Sequence, residues 1–153
     1  MNKGFTLFIA MIVMGTLALI AGGVVSLAVR QAVTSSSVRE SEVAFYAADT
    51  GLECALYWDV HNFLDPSGNS AFATSTTSTI ECNKDASNPG NEWVVGGSDT
   101  SVISFITFLP NSYCAKVTVT KSVGGFTTIE SQGYNTCDTS NPRRVERAVR
   151  ASY

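Results

Sequence analysis

No acidic side chain precedes Glu40, no proline precedes Pro66, and one histidine, His61, occurs in 153 residues. Each absence excludes something. Without proline, nothing in the first 65 positions forces a helix to end. A single imidazole leaves no room for a Cys–His site built with a second imidazole. The four cysteines are Cys54, Cys82, Cys114 and Cys137; they form no CxxC pair, and none accompanies His61, so zinc-ligand spacing is missing. No GxSxG, HExxH, phosphate loop or GxGxxG occurs. The expectation is therefore no enzyme, no catalytic residue, no cofactor and no metal. A formal net charge of −3 argues against a general nucleic-acid binder.

What is present begins with "MNKGFTLFIAMIVMGTLALIAGGVVSLAVR". Phe5 to Val29 carries no charge, and about 25 helical residues span roughly 37 Å, enough for a hydrocarbon core of about 30 Å. A cleaved secretory signal has a shorter apolar region and a larger basic one. Lys3 and the amino terminus hold the near end cytoplasmic under the positive-inside rule, with Arg30 as a lone charge on the far side. Beyond it the helical pattern continues. Val38, Phe45, Ala48, Leu52, Ala55 and Leu56 recur mostly at spacings of three and four, with Arg39, Glu40, Glu42, Asp49 and Glu53 largely off that stripe. The sequence thus predicts one helix from Phe5 to Trp58, apolar all round in its first half and amphipathic in its second.

The opening "KGFTL" before such a helix resembles the type IV pilin and type II secretion pseudopilin superfamily. The resemblance implies a basic leader, residues 1–4, removed by a prepilin peptidase between Gly4 and Phe5, and methylation of the new terminus at Phe5. "AFYAADTGLECAL", Ala44 to Leu56, is similar to the A-x-x-A-A-E-x-G-x-x-x-A stretch of minor pilins of the PilX type, with Asp49 in place of glutamate. One position departs from the family pattern: the fifth residue after the cut, normally glutamate, is Ile9. In the family that carboxylate is thought to neutralise the amino terminus of an adjacent subunit. Ile9 therefore implies a tip or low-copy position. The partners implied are other pilins or pseudopilins through the N-terminal helix, the prepilin peptidase, and the inner membrane before assembly.

After the helix the composition shifts to Gly, Ser, Thr, Asn and Pro. "NFLDPSGNSAFATSTTSTIECNKDASNPGNEWVVGG" reads as an irregular connection with one or two short strands, "LDPSGN" as a turn, and "ATSTTST" as a solvated hydroxyl-rich stretch. Asp65, Ser67 and Asn69 alternate as in calcium loops but lack the later glutamate. "SVISFITFL", "YCAKVTVTKS", "FTTIESQGYN" and "RRVERAVRASY" read as consecutive strands, with "VGG" turning the second into the third and Val145 and Val149 sharing a face. The fold class is α+β: a long helix packed on a C-terminal antiparallel meander. The organisation is leader 1–4, membrane or filament-core half 5–29, amphipathic half 30–58, and extracytoplasmic loop and sheet 59–153.

Four cysteines fit two disulfides in an oxidising compartment. A turn near Gly124 and Gly125 sets Cys114 opposite the region before Cys137, which pairs those two; Cys54 and Cys82 pair by elimination. Arg143, Arg144, Arg147 and Arg150 cluster, relieved by Glu146: a solvated or edge-protecting strand face, or less favourably a patch for DNA phosphates. His61 reads as a surface or capping residue near Asp59 or Asp65, and Tyr57 and Trp58 as packing residues. Three functions follow: a filament subunit; a permanently anchored single-pass protein with a binding domain outside; an extracytoplasmic enzyme of unrecognised class. The first is the reading the residues favour.

Overall fold

The computed structural model describes residues 3–61, 70–108, 112–122 and 124–153. The turn expected at Leu64–Asn69 and the alternation of Asp65, Ser67 and Asn69 lie outside them. Helix α1 runs Lys3–Leu56 and passes into a π-helical turn, Tyr57–His61. Strands follow as β1 Thr77–Glu81, β2 Glu92–Gly96, β3 Thr100–Phe108, β4 Tyr113–Lys121, β5 Thr127–Tyr134 and β6 Glu146–Ser152. β1 and β2 form an antiparallel hairpin; β3-β4-β5-β6 form an antiparallel meander. The α+β layout expected from the sequence is the layout observed.

The chain divides into two compact units, Met1–Arg39 and Glu40–Tyr153. In the first, α1 is solvent-exposed along its described length. In the second, the sheet alternates: Ala115, Val117 and Val119 of β4 and Ile129 and Ser131 of β5 are buried on one face. That face receives α1 through very small residues, Ala44, Ala47, Ala48, Gly51 and Ala55. The approach is close. A Cβ on Gly133 would stand 2.1 Å from the Ala44 carbonyl oxygen and 2.3 Å from the Ala48 nitrogen. A Cβ on Gly51 would stand 2.6 Å from Ser131 Oγ.

This contact corrects the predicted stripe. Ala48, Leu52 and Ala55 are buried as expected, whereas Phe45 is 47% exposed and Val38 59% exposed. A helix lying this near a sheet buries alanine and glycine, and a phenyl ring on that face would push the two apart. The helix also ends in a π-turn rather than running as a regular α-helix to Trp58. Trp58 packs against the core and its Nε1–H donates to the Glu81 carbonyl at 2.9 Å, while Tyr57 is exposed rather than packed.

The turn between β4 and β5 is as anticipated. Lys121 pairs with Thr127, and Gly125 takes φ +83°, a left-handed conformation that glycine adopts without a Cβ penalty. β3 carries an unexpected bulge between Ile103 and Ile106, with Phe105 at φ +54° and its ring 41% exposed. The expected last strand starts later than "RRV": β6 begins at Glu146, leaving Arg143 and Arg144 before it.

Candidate functional site

The first candidate is α1 within Lys3–Arg39. It is long and apolar enough to cross a membrane, by length and composition. Phe5 is 68% exposed, Leu7 63%, Met14 73% and Leu19 78%. Ile9 is 45% exposed and sits where the resemblance calls for a carboxylate. Apart from the chain neighbours and the helix's own backbone, no atom among the described residues lies within 4 Å of a Cβ built on Gly4, Gly15, Gly22 or Gly23. Glycine inside a helix costs about 1 kcal/mol relative to alanine. At Gly15, Gly22 and Gly23 the fold recovers none of that cost through internal packing. The contrast with Gly51 and Gly133, both pressed against neighbours, is direct.

The second candidate lies at the other end of the helix and was not anticipated. Asp59, in the π-turn, is buried and accepts hydrogen bonds from Lys121 Nζ at 2.6 and 2.8 Å. Ser70 Oγ and the Tyr153 hydroxyl also donate to it. Lys121 Nζ completes its set by donating to Thr127 Oγ1 at 2.8 Å. Burial pushes the Asp59 carboxyl up, but the hydrogen bonds from Lys121, Ser70 and Tyr153 outweigh it and hold the carboxyl below its ordinary value. Burial, then the bond to Asp59, pushes the Tyr153 phenol well above the usual tyrosine range. His61 therefore does not partner Asp59; its ring lies 6.3 Å from that of Tyr57. Lys121 is 62 positions from Asp59, and only the fold joins them.

The cysteines divide. Cys54 and Cys82 are bridged, with Cα atoms 6.0 Å apart, and the bridge ties α1 to the residue following β1. Cys114 and Cys137 are both free thiols, which corrects the second expected disulfide. The chain does bring them together. Cys114 pairs in register with Tyr134, and the Cys137 N–H donates to the Ser112 carbonyl at 2.9 Å. Burial, then a hydrogen bond with Cys137, pushes the Cys114 thiol up to about 12.

The four arginines do not form one patch. The Arg144 guanidinium lies 3.8 Å from the centroid of the Tyr134 ring, a cation–π contact. Arg147 Nε donates to Ser41 Oγ of α1 at 2.7 Å. Arg147, Val149 and Ala151 alternate on one face of β6, and Arg150 stands on the other, opposite Glu130 in register. Arg143 is exposed just before the strand.

No family model, curated protein or solved structure matches this chain. Among the described residues, no group of three or more His, Cys, Asp or Glu side chains is placed to hold a metal ion. The arrangement consists of an exposed apolar helix and a buried polar clamp. The clamp is saturated: every Lys121 and Asp59 contact named above is internal to the fold.

Proposed function

We propose that this chain is a structural subunit, a minor pilin or pseudopilin, of a type IV pilus, type II secretion or competence filament. The observation that carries this reading is the set of helix glycines with nothing to pack against. Gly15, Gly22 and Gly23, with Ala10, Ala18 and Ala21 between them, leave the α1 backbone open to close approach by other helices. Apolar side chains exposed all round serve two environments in turn, lipid first and neighbouring helices afterwards. Lys3 marks the cytoplasmic end of the span, and the sheet lies outside. Prepilin peptidase cuts between Gly4 and Phe5, and Phe5 is methylated. Assembly is the activity, and no bond chemistry is assigned to this chain.

Intact-mass analysis of protein from cells carrying the peptidase tests the reading. The expected product lacks Met1–Gly4 and carries one methyl group on Phe5. A mature chain that still starts at Met1 supports the alternative, a permanently anchored single-pass binding protein. A chain starting near Ala28 rejects both.

A further inference from the structure

The sheet-facing side of α1 is settled by Ala44, Ala48, Gly51 and Ala55. The opposite side carries Glu42, Tyr46, Asp49 and Glu53 at spacings of four and three, a narrow stripe that Tyr57 and Val60 of the π-turn continue beside Glu53. Tyr46 is 57% exposed and Tyr57 54% exposed. Glu53, Tyr57, Val60 and His61 also line a shallow apolar groove with Leu56. The stripe is acidic and aromatic, and among the described residues none of its carboxylates is in an ion pair.

The complementary surface is on the same chain. Arg143 and Arg150 are exposed and, among the described residues, also outside any ion pair. They flank Arg147 on β6, an edge strand of the meander. Two contacts fix the level of that edge along the helix. Arg147 bonds Ser41, one residue before the stripe begins; Tyr153 bonds Asp59, one residue before it ends. β6 therefore runs in the same direction as this part of α1 and beside it. Seven strand residues at about 3.3 Å each cover most of the stripe's rise of about 27 Å.

We infer that the Glu42–Val60 stripe of α1 and its π-turn receives the Arg143–Arg150 edge of a second copy of this chain. The inference rests on the filament reading for its setting and deepens it by naming the contact between outer domains. Before assembly, copies anchored in one membrane carry their outer domains on the same side, which lets stripe and edge meet. Carboxylates then face guanidinium groups, and Tyr46 and Tyr57 offer ring faces of the kind Arg144 already uses on Tyr134. Interfaces favour this composition of tyrosine and arginine. The contact is heterologous, edge to face, so a pair leaves one stripe and one edge free.

The test replaces Tyr57 with photoreactive p-benzoylphenylalanine in the full chain, in the membranes of cells carrying the peptidase. Irradiation should give a dimer of this chain, linked within residues 143–152 of the second copy. Arg143→Glu with Arg150→Glu should lower the yield about ten-fold, and adding Glu42→Arg with Glu53→Arg should restore it. Formation of the Cys54–Cys82 bridge in every variant reports folding. Should a variant fold poorly, raised salt on the unmutated protein in detergent replaces it, and the yield should fall. No dimer, links to another protein, links elsewhere, or a yield indifferent to both charge reversal and salt would overturn the contact. Intact mass of the same sample separates the two ideas. An uncut chain that still dimerises rejects the pilin reading alone, and a cut chain that does not dimerise rejects the contact alone.

Discussion

Lys121 closes onto Asp59 with both carboxylate oxygens within 2.8 Å, and this pair joins the π-turn after α1 to the end of β4. The Asp59 side chain is 3% exposed and that of Lys121 21% exposed. Removing one partner strands a buried charge. Lys121→Met alone should destabilise the outer unit by about 3 kcal/mol, while Asp59→Leu with Lys121→Met should cost much less. Thermal unfolding in detergent, followed by near-ultraviolet circular dichroism, checks both.

The same pair sets an acid limit. The Asp59 carboxyl is held below its ordinary 3.8, so the unfolded chain takes up this proton before the folded one does. The stabilisation is complete above that ordinary value and is lost as pH falls through the lower folded value. Asp59→Asn should flatten this part of the stability profile between pH 5 and pH 2, at about 3 kcal/mol lower stability at neutral pH. An unchanged acid limb would show that other carboxylates control it.

Glycines of two kinds should respond oppositely. Gly133→Ala drives a Cβ into the α1 backbone and should cost several kcal/mol, about 3 or more. Gly22→Ala meets nothing beyond its own helix among the described residues and should leave the fold unharmed, its helix favoured by about 1 kcal/mol. In cells Gly22→Ala should nonetheless reduce incorporation into filaments, read by immunoblot of the sheared fraction. Full incorporation would remove the argument that these glycines serve helix contacts.

The thiols should react in order. Cys137 is half-buried and Cys114 fully buried with its thiol raised to about 12, so alkylation of the native protein should label Cys137 first. Non-reducing peptide mapping should find Cys54 linked to Cys82 and leave Cys114 and Cys137 unlinked. Loss of the Cys54–Cys82 bridge, which spans a separation of 28 residues, should cost about 3–4 kcal/mol.

In the proposed filament, Ile9 would offer no carboxylate to the amino terminus of a subunit above it. A long run of this chain would leave one uncompensated amine per step, each costing several kcal/mol in a low-dielectric core. Counting subunits in purified filaments should find few copies, and Ile9→Glu should raise the number. Copy numbers equal to those of a main shaft subunit would reject this position for the chain.

The elements that could be read directly were those with a local signal. α1 announced itself through an uncharged run and the absence of proline; the β4–β5 hairpin through alternating β-branched residues around Gly124 and Gly125. Its register followed, and with it the meeting of Cys114 and Cys137. The sheet-facing side of α1 was only half legible. Hydrophobic periodicity weights Phe45 above Ala44 and Ala47, whereas close packing on Gly133 selects the small residues. The Asp59 clamp left no signal, because Ser70, Lys121, Thr127 and Tyr153 converge from separate elements, and nothing local marks a lysine at a strand end as a buried partner.

The bulge at Phe105 bears on what the sheet does in a crowd. β3 is an edge of the meander, and a regular edge invites another strand to dock along it. Here Ser104 and Phe105 break the ladder between Ile103 and Ile106, and Trp93 Nε1–H already occupies the Ser104 carbonyl at 3.0 Å. Any assembly that gathers the helices gathers the sheets as well, at local concentrations where exposed strands fuse. A kinked β3 cannot be zipped over its whole length by a straight neighbour. In the proposed filament, the β3 edge of each sheet would resist fusion with its neighbour.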